Sequence, residues 1–206
     1  MNNDVGARAA RPHRGWHDRG YIPHFDAGAI VQTITFRLAD SLPREFYEKA
    51  AAIAPDNIER AILFEKGIDQ GRGNCLLSDP QNAKIVLGTL RHFDGQRYRL
   101  LAWVIMPNHV HAMIEQIYGN SLSTIVQSWK SYSAHTINEI SGAKRQVWSP
   151  DYFDRYIRNE THYANAKFYI ERNPVKARLV ERPEDWPYSS ASNGALGCGR
   201  AARAPT

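Results

Sequence analysis

Residues 100–115 constrain the fold of this chain more than any other stretch. Two apolar runs flank a Pro-Asn turn, and the second run begins with the pattern His-x-His. The first run, Tyr98 to Met106, is nearly continuous and predicts a central buried strand. In the strand that follows the turn, side chains alternate between faces, so His109 and His111 point the same way. The stretch predicts two neighbouring strands, with one apolar face and one face that carries two imidazoles.

The histidine pair is a candidate metal site, because two imidazoles on a rigid strand supply two ligands. Met113 and Glu115 share the histidine face, which makes Glu115 one candidate for a third ligand. A His-x-His pair also occurs on half-exposed strands that bind nothing. The pair alone therefore does not define the site.

Composition narrows the class of protein. The 206 residues suffice for one domain with extensions, and the net charge of +5 favours an anionic partner. The two cysteines, Cys75 and Cys198, have no CxxC spacing, which argues against a disulfide framework and fits a reducing cytoplasm. No apolar run approaches the length of a membrane span, and the arginine-rich start is no secretory signal.

The chain divides into three predicted parts. Residues 1–28 mix arginines, histidines and aromatics, so we expect a basic and aromatic arm in which Arg14 and Arg19 contact phosphates. Residues 29–190 form a single α+β domain. Residues 191–206 are rich in Gly, Ala and Arg and are expected to be disordered.

Within the domain, periodicity predicts one further strand and four helical regions. The strand covers residues 29–38, and the helices cover 44–67, 80–94, 122–140 and 160–173. Asp79 and Ser121 are predicted N-caps, and Pro174 is expected to stop the last helix. The glycine-rich segment 67–75 lacks the pattern of a nucleotide-binding loop.

Tyr169 and Asn173 lie four residues apart and so share one face of the last predicted helix. With the histidines they form a coherent set, in which nitrogen and oxygen ligands suit Mg²⁺ or Mn²⁺ and a tyrosine attacks a phosphodiester. Other tyrosines compete for the nucleophile's role: Tyr152, Tyr156 and Tyr163. The candidate phosphate contacts here are Lys130, Arg155, Arg158 and Arg172.

Three blocks in this order carry a family resemblance: MPNHVH at 106–111, FYIERNPV at 168–175 and PEDWPYSS at 183–190. Together they resemble the single-tyrosine HUH transposases, and more closely the REP-associated tyrosine transposases, bacterial relatives of the IS200/IS605 transposases. The resemblance extends from about Arg19 to Ser190.

The resemblance implies a ferredoxin-like antiparallel sheet with helices on one face, of the HUH nuclease type. It implies Tyr169 as nucleophile, and His109, His111 and Asn173 as ligands of Mg²⁺ or Mn²⁺. The implied activity is cutting and rejoining of single-stranded DNA at REP-like hairpins through a 5′-phosphotyrosine, in the bacterial cytoplasm at the nucleoid. A monomer is favoured, with a homodimer as the alternative.

Three other functions remain open from the sequence. A non-catalytic DNA or RNA hairpin-binding regulator would bind without a covalent adduct. A histidine-triad nucleotide hydrolase would need a third alternating histidine where Met113 stands. Replication initiators and relaxases of the HUH type usually place their tyrosine differently.

Overall fold

The structure is a computed structural model that describes residues 15–18, 23–26, 30–43, 45–46, 63–64 and 66–193. Arg14, Arg19, the tail beyond residue 193 and most of the helix predicted for 44–67 lie outside the described residues. The strands and helices are β1 (Gly15–Asp18), β2 (Pro23–Asp26), β3 (Val31–Arg37), α1 (Pro80–His92), β4 (Tyr98–Ile105), β5 (His109–Gln116), α2 (Leu122–Ser141), β6 (Phe153–Tyr156), α3 (Glu160–Lys176) and α4 (Ser190–Asn193).

A four-stranded antiparallel sheet of order β4-β5-β3-β6 organises the fold. The two strands predicted on either side of the Pro-Asn turn are its β4 and β5, and β3 pairs with β5 so that Thr35 lies opposite His111. Strands β1 and β2 form a separate antiparallel pair within the segment predicted as an arm. The α+β prediction with an antiparallel sheet is confirmed.

Alternation along the strands divides the sheet into two faces. Helices α1 and α2 cover the apolar face, where Ile34, Phe36 and Ala112 are almost completely buried. Helix α3 lies against the opposite face, where Ile170 packs with Met113. The paired helices on one face agree with the expected architecture, and α3 in addition brings its side chains to the histidine face.

Both predicted caps are present: Asp79 accepts from the backbone N–H of Gln81, and Ser121 accepts from that of Thr124. The prediction that Pro174 stops α3 is wrong, because the helix continues to Lys176. A proline removes one backbone donor, but near a helix end most bonds survive, and the N–H of Ala177 still donates to the Asn173 carbonyl at 2.9 Å. The extra turn brings the Lys176 ammonium 5.2 Å from the ring centre of Tyr169.

None of the helices in the described parts of the chain is long and apolar enough to cross a membrane.

Candidate metal centre and nucleic-acid interface

The two histidines of β5 converge on one point. Both are buried, with 1% of His109 and 4% of His111 exposed, and their Nε2 atoms lie 3.1 Å apart. Two nitrogens that bind one cation at about 2.1 Å and at right angles are roughly 3 Å apart. The observed spacing therefore fits a pair of ligands to a single ion.

Each histidine is oriented by a hydrogen bond at its other ring nitrogen. The Nδ1–H of His109 donates to the Asn108 side-chain oxygen at 2.7 Å, because the amide nitrogen of Asn108 is used as a donor elsewhere. The Nδ1 of His111 lies 2.7 Å from the hydroxyl of Thr35, which can donate or accept. Such partners hold an imidazole so that Nε2 can serve as a ligand.

Electrostatics keeps both imidazoles neutral. Burial lowers the pKa of His111 to about 4, with the nearby Asp69 opposing this shift and Lys176 adding to it. Burial, together with the charges of His111 and Lys176, lowers the pKa of His109 well below its usual value. A neutral imidazole has the free lone pair that metal binding requires.

Tyr169 is the candidate tyrosine that lies at the histidines, with its ring centre 5.6 Å from that of His111. The competing tyrosines lie elsewhere. Tyr152 is buried in the core beneath α1 and α2, and Tyr163 packs in the apolar cluster under α3. Tyr156 lies on β6 with the Arg158 guanidinium 5.3 Å from its ring centre.

The two candidates for a third ligand have different surroundings. Asn173 is 2% exposed, one turn after Tyr169, and its buried Nδ2 has no hydrogen-bond partner among the residues described. Glu115 instead pairs with Arg99 at 2.8 Å, near the opposite end of β5, so its carboxylate is already engaged away from the histidines.

The structure adds Asp69, which the sequence analysis did not select. A carboxylate oxygen of Asp69 and one ring nitrogen each of His109 and His111 all lie within 4.8 Å of one another. Asp69 lies in the glycine-rich segment 67–75, which the sequence predicts as a loop without the pattern of a nucleotide-binding loop. No spacing rule links it to histidines 40 residues later, so only the folded chain reveals the cluster.

The predicted phosphate contacts separate into two groups. Lys130 is 9% exposed and donates to the carbonyl of Pro150 at 2.6 Å. Its ammonium therefore points into the protein, and the expectation that Lys130 contacts phosphate from the surface is wrong. Arg155, Arg158 and Arg172 are exposed. The Arg172 guanidinium lies 5.3 Å from the ring centre of Phe168, which is itself 62% exposed.

A positive field surrounds the start of α3. Partial burial and the charges of Arg155 and Arg158 lower the pKa of His162. Cations beside exposed aromatic rings are typical of surfaces that bind single-stranded nucleic acid, because they combine phosphate contacts with stacking.

The antiparallel sheet, with two convergent histidines on one strand and a tyrosine on a helix packed against it, has the α+β architecture that the resemblance to HUH nucleases implies. Residues 87–173 match the model of the family described as "Transposase IS200 like". This segment contains the histidine pair, Tyr169 and Asn173, whereas Asp69 lies outside it. Two curated relatives and one solved structure confirm the resemblance of this chain to the REP-associated tyrosine transposases.

A REP-associated tyrosine transposase of Escherichia coli (strain K12) is 29% identical over 93 residues, which are 45% of this chain and 54% of the relative. A putative REP-associated tyrosine transposase of Haemophilus influenzae (strain ATCC 51907 / DSM 11121 / KW20 / Rd) is 24% identical over 112 residues, 50% of this chain and 62% of the relative. The chain thus spans between half and two thirds of the length of these curated relatives.

A solved structure of a REP-associated tyrosine transposase bound to a REP hairpin shares the fold. Its TM-score to this chain is 0.55 at 20% sequence identity, over 87% of this chain and 84% of that chain.

Proposed function

We propose that the protein is a metal-dependent endonuclease and strand transferase of single-stranded DNA that acts through a 5′-phosphotyrosine. One observation carries the proposal: the Tyr169 ring lies beside His111, where the two Nε2 atoms converge. A nucleophile next to a preformed pair of cation ligands is the minimum that phosphodiester attack requires.

The cation would be Mg²⁺ or Mn²⁺, held by His109, His111 and the side-chain oxygen of Asn173. When bound, it withdraws negative charge from the phosphodiester as a Lewis acid. The residues present fit this group: the imidazoles are neutral, their spacing suits one ion, and Asn173 is buried one turn after the tyrosine.

The chemistry conserves the phosphodiester bond. The Tyr169 phenol loses its proton to solvent and its oxygen bonds to phosphorus, while the bond from phosphorus to the 3′-oxygen breaks. The departing oxygen takes up a proton and leaves as a 3′-hydroxyl. A free 3′-hydroxyl can reverse these steps, so one site both cuts and rejoins strands.

The substrate proposed is DNA with a REP-like hairpin. The solved relative is bound to a REP hairpin, and this chain presents Arg155, Arg158 and the Arg172–Phe168 pair around the tyrosine helix. The net charge of +5 favours the same partner. We further propose that the protein works as a monomer at the nucleoid in the bacterial cytoplasm.

A labelled-DNA adduct assay tests the proposal. Single-stranded hairpin DNA, labelled at its 5′ or 3′ end, is incubated with Mg²⁺, Mn²⁺ or chelator and resolved on a denaturing protein gel. We expect a metal-dependent adduct that retains the DNA 3′ of the cut, absent in Tyr169→Phe and present in the matched control Tyr163→Phe. An adduct that survives Tyr169→Phe would move the role to another tyrosine. Hairpin binding with no adduct in the parent protein would favour the non-catalytic regulator.

A further inference from the structure

The carboxylate of Asp69 has one oxygen in an ion pair and a second, buried oxygen that the ion pair does not explain. One carboxylate oxygen, Oδ2, pairs with the ammonium of Lys176 at 2.5 Å. The other oxygen, Oδ1, is buried and has no hydrogen-bond partner among the residues that the structure describes. A buried carboxylate oxygen without a partner is costly, so its retention points to a further ligand.

The side-chain amide of Asn108 positions the Asp69 carboxylate next to the histidines. The side-chain amide of Asn108 donates to the carbonyls of Ile68 and Arg72, at 3.1 and 3.2 Å, on either side of Asp69. Its oxygen accepts from His109. One buried amide therefore fixes both the orientation of His109 and the turn that carries Asp69.

We propose that Asp69 is a ligand of the divalent cation, together with His109 and His111, and that Lys176 is its partner while no cation is bound. This inference rests on the cation site of the proposed function. It adds a carboxylate that lies outside the segment matched by the family model, and it assigns Lys176 the role of a stand-in cation.

A carboxylate ligand changes which cations the site prefers. Two neutral imidazoles and an amide contribute no net charge, whereas hard cations such as Mg²⁺ and Mn²⁺ are held mainly by anionic oxygen. The resulting set of two imidazoles, the amide oxygen of Asn173 and one carboxylate still leaves positions of an octahedral cation open for a phosphate oxygen. The side chain of Lys176 is 58% exposed, so its ammonium can leave the carboxylate and be solvated by water.

The test is Mn²⁺ binding in the absence of DNA, followed by the electron paramagnetic resonance signal of free Mn²⁺. Asp69→Asn keeps the shape of the side chain and removes its charge, and we expect binding to weaken by about tenfold or more, since even outer partners of metal ligands are worth 10- to 100-fold. Lys176→Met removes the competing ammonium, so we expect binding that is unchanged or tighter. Asp185→Asn is the matched control, because it too removes a carboxylate from an ion pair, with Arg182 at 2.8 Å, and should bind as the parent does.

The variants separate a ligand from a merely structural carboxylate. Parent-like binding by Asp69→Asn would overturn the inference. Equal losses in Asp69→Asn and Lys176→Met would also overturn it, because the ion pair and not the carboxylate would then matter. Binding that survives His111→Ala would instead overturn the cation site itself. Thermal unfolding of each variant without Mn²⁺ confirms that the comparison is made between folded proteins.

Discussion

Thr35 and Asn108 differ in how strictly they determine which ring nitrogen of their histidine carries the proton. The Asn108 oxygen can only accept, so His109 always presents a bare Nε2 to its neighbour. The Thr35 hydroxyl can reverse its role, so His111 can offer either an Nε2–H or a lone pair. Without a cation, the Nε2–H of His111 can donate to Nε2 of His109 across the 3.1 Å gap. Cation binding requires the other tautomer of His111, in which the proton has moved from Nε2 to Nδ1 and the Thr35 hydroxyl accepts from it.

Lys130 gives a pH-dependent prediction. Burial lowers its pKa from 10.5 to about 8, with Asp151 opposing and Arg37 adding to the shift. Between pH 8 and 10.5 the unfolded chain keeps the proton that the folded protein loses, so the free energy of unfolding rises with pH. We expect the parent to gain about 3 kcal/mol over that interval relative to Lys130→Met.

Urea unfolding of both proteins across this pH range measures the gain. The difference between the two proteins removes the contributions of other titrating groups. Well below pH 8 the ammonium is charged in both states, so the difference should be constant there. A difference that stays flat up to pH 10.5 would contradict the assignment of Lys130 as a buried cation.

The loop from Gly71 to Cys75 follows the turn that carries Asp69 and is anchored on Asp40. The backbone N–H of Asn74 donates to the Asp40 carboxylate at 2.8 Å. Gly73 has φ of +91°, and a Cβ there would lie 2.7 Å from the Asp40 carbonyl oxygen. Gly71 has φ of +65° with nothing near its missing side chain.

These two glycines predict unequal effects of the same substitution. Gly73→Ala combines a left-handed backbone with a clash against backbone, and we expect a loss of about 2–3 kcal/mol in the free energy of unfolding. Gly71→Ala is the control, with backbone strain alone and a loss of about 1 kcal/mol. Chemical denaturation measures both, and equal losses would show that the loop shifts freely away from Asp40.

Helices and strands were predictable where the signal is local. The alternation of Ile34 and Phe36 against Thr33 and Thr35 separates the two faces of β3, because successive side chains on a strand point to opposite faces. Thr35 is nevertheless buried as well, because it lies beside His111 on the other face. Asp79 and Ser121 marked helix starts for a similarly local reason. Pro174 misled the prediction, because its cost depends on how many hydrogen bonds remain after it.

At the scale of the whole molecule, the site was predictable only in part. His109 and His111 share a strand face, and Tyr169 and Asn173 share a helix face, so short spacings were enough to select them. Asp69 reaches the histidines through the tertiary contacts of Asn108, which no spacing encodes. Lys130 is likewise turned inward by carbonyls of residues 150–151, which lie 20 positions away.

The exposed cations predict how DNA binding depends on salt. Each lost phosphate contact lowers the slope of log affinity against log salt by about 0.7 for single strands. We expect Arg158→Ala to lose about this amount, because its side chain is exposed next to Tyr156. Lys130→Met should keep the parent slope, because its ammonium faces carbonyls. Fluorescence anisotropy of a labelled hairpin over a KCl series measures both, and a lost slope in Lys130→Met would contradict the inward orientation.

The Asp69–Lys176 pair joins positions 107 residues apart, and Thr35 meets His111 across 76 residues. A ribosome delivers these segments at different times, so a growing chain that has not yet released α3 has neither its tyrosine nor its lysine at the histidines. In the proposed mechanism, the nucleophile is therefore the last part of the site to be synthesised, after all four strands of the sheet. A protein fragment that ends before α3 would lack Tyr169, the nucleophile of the proposed reaction, and Lys176.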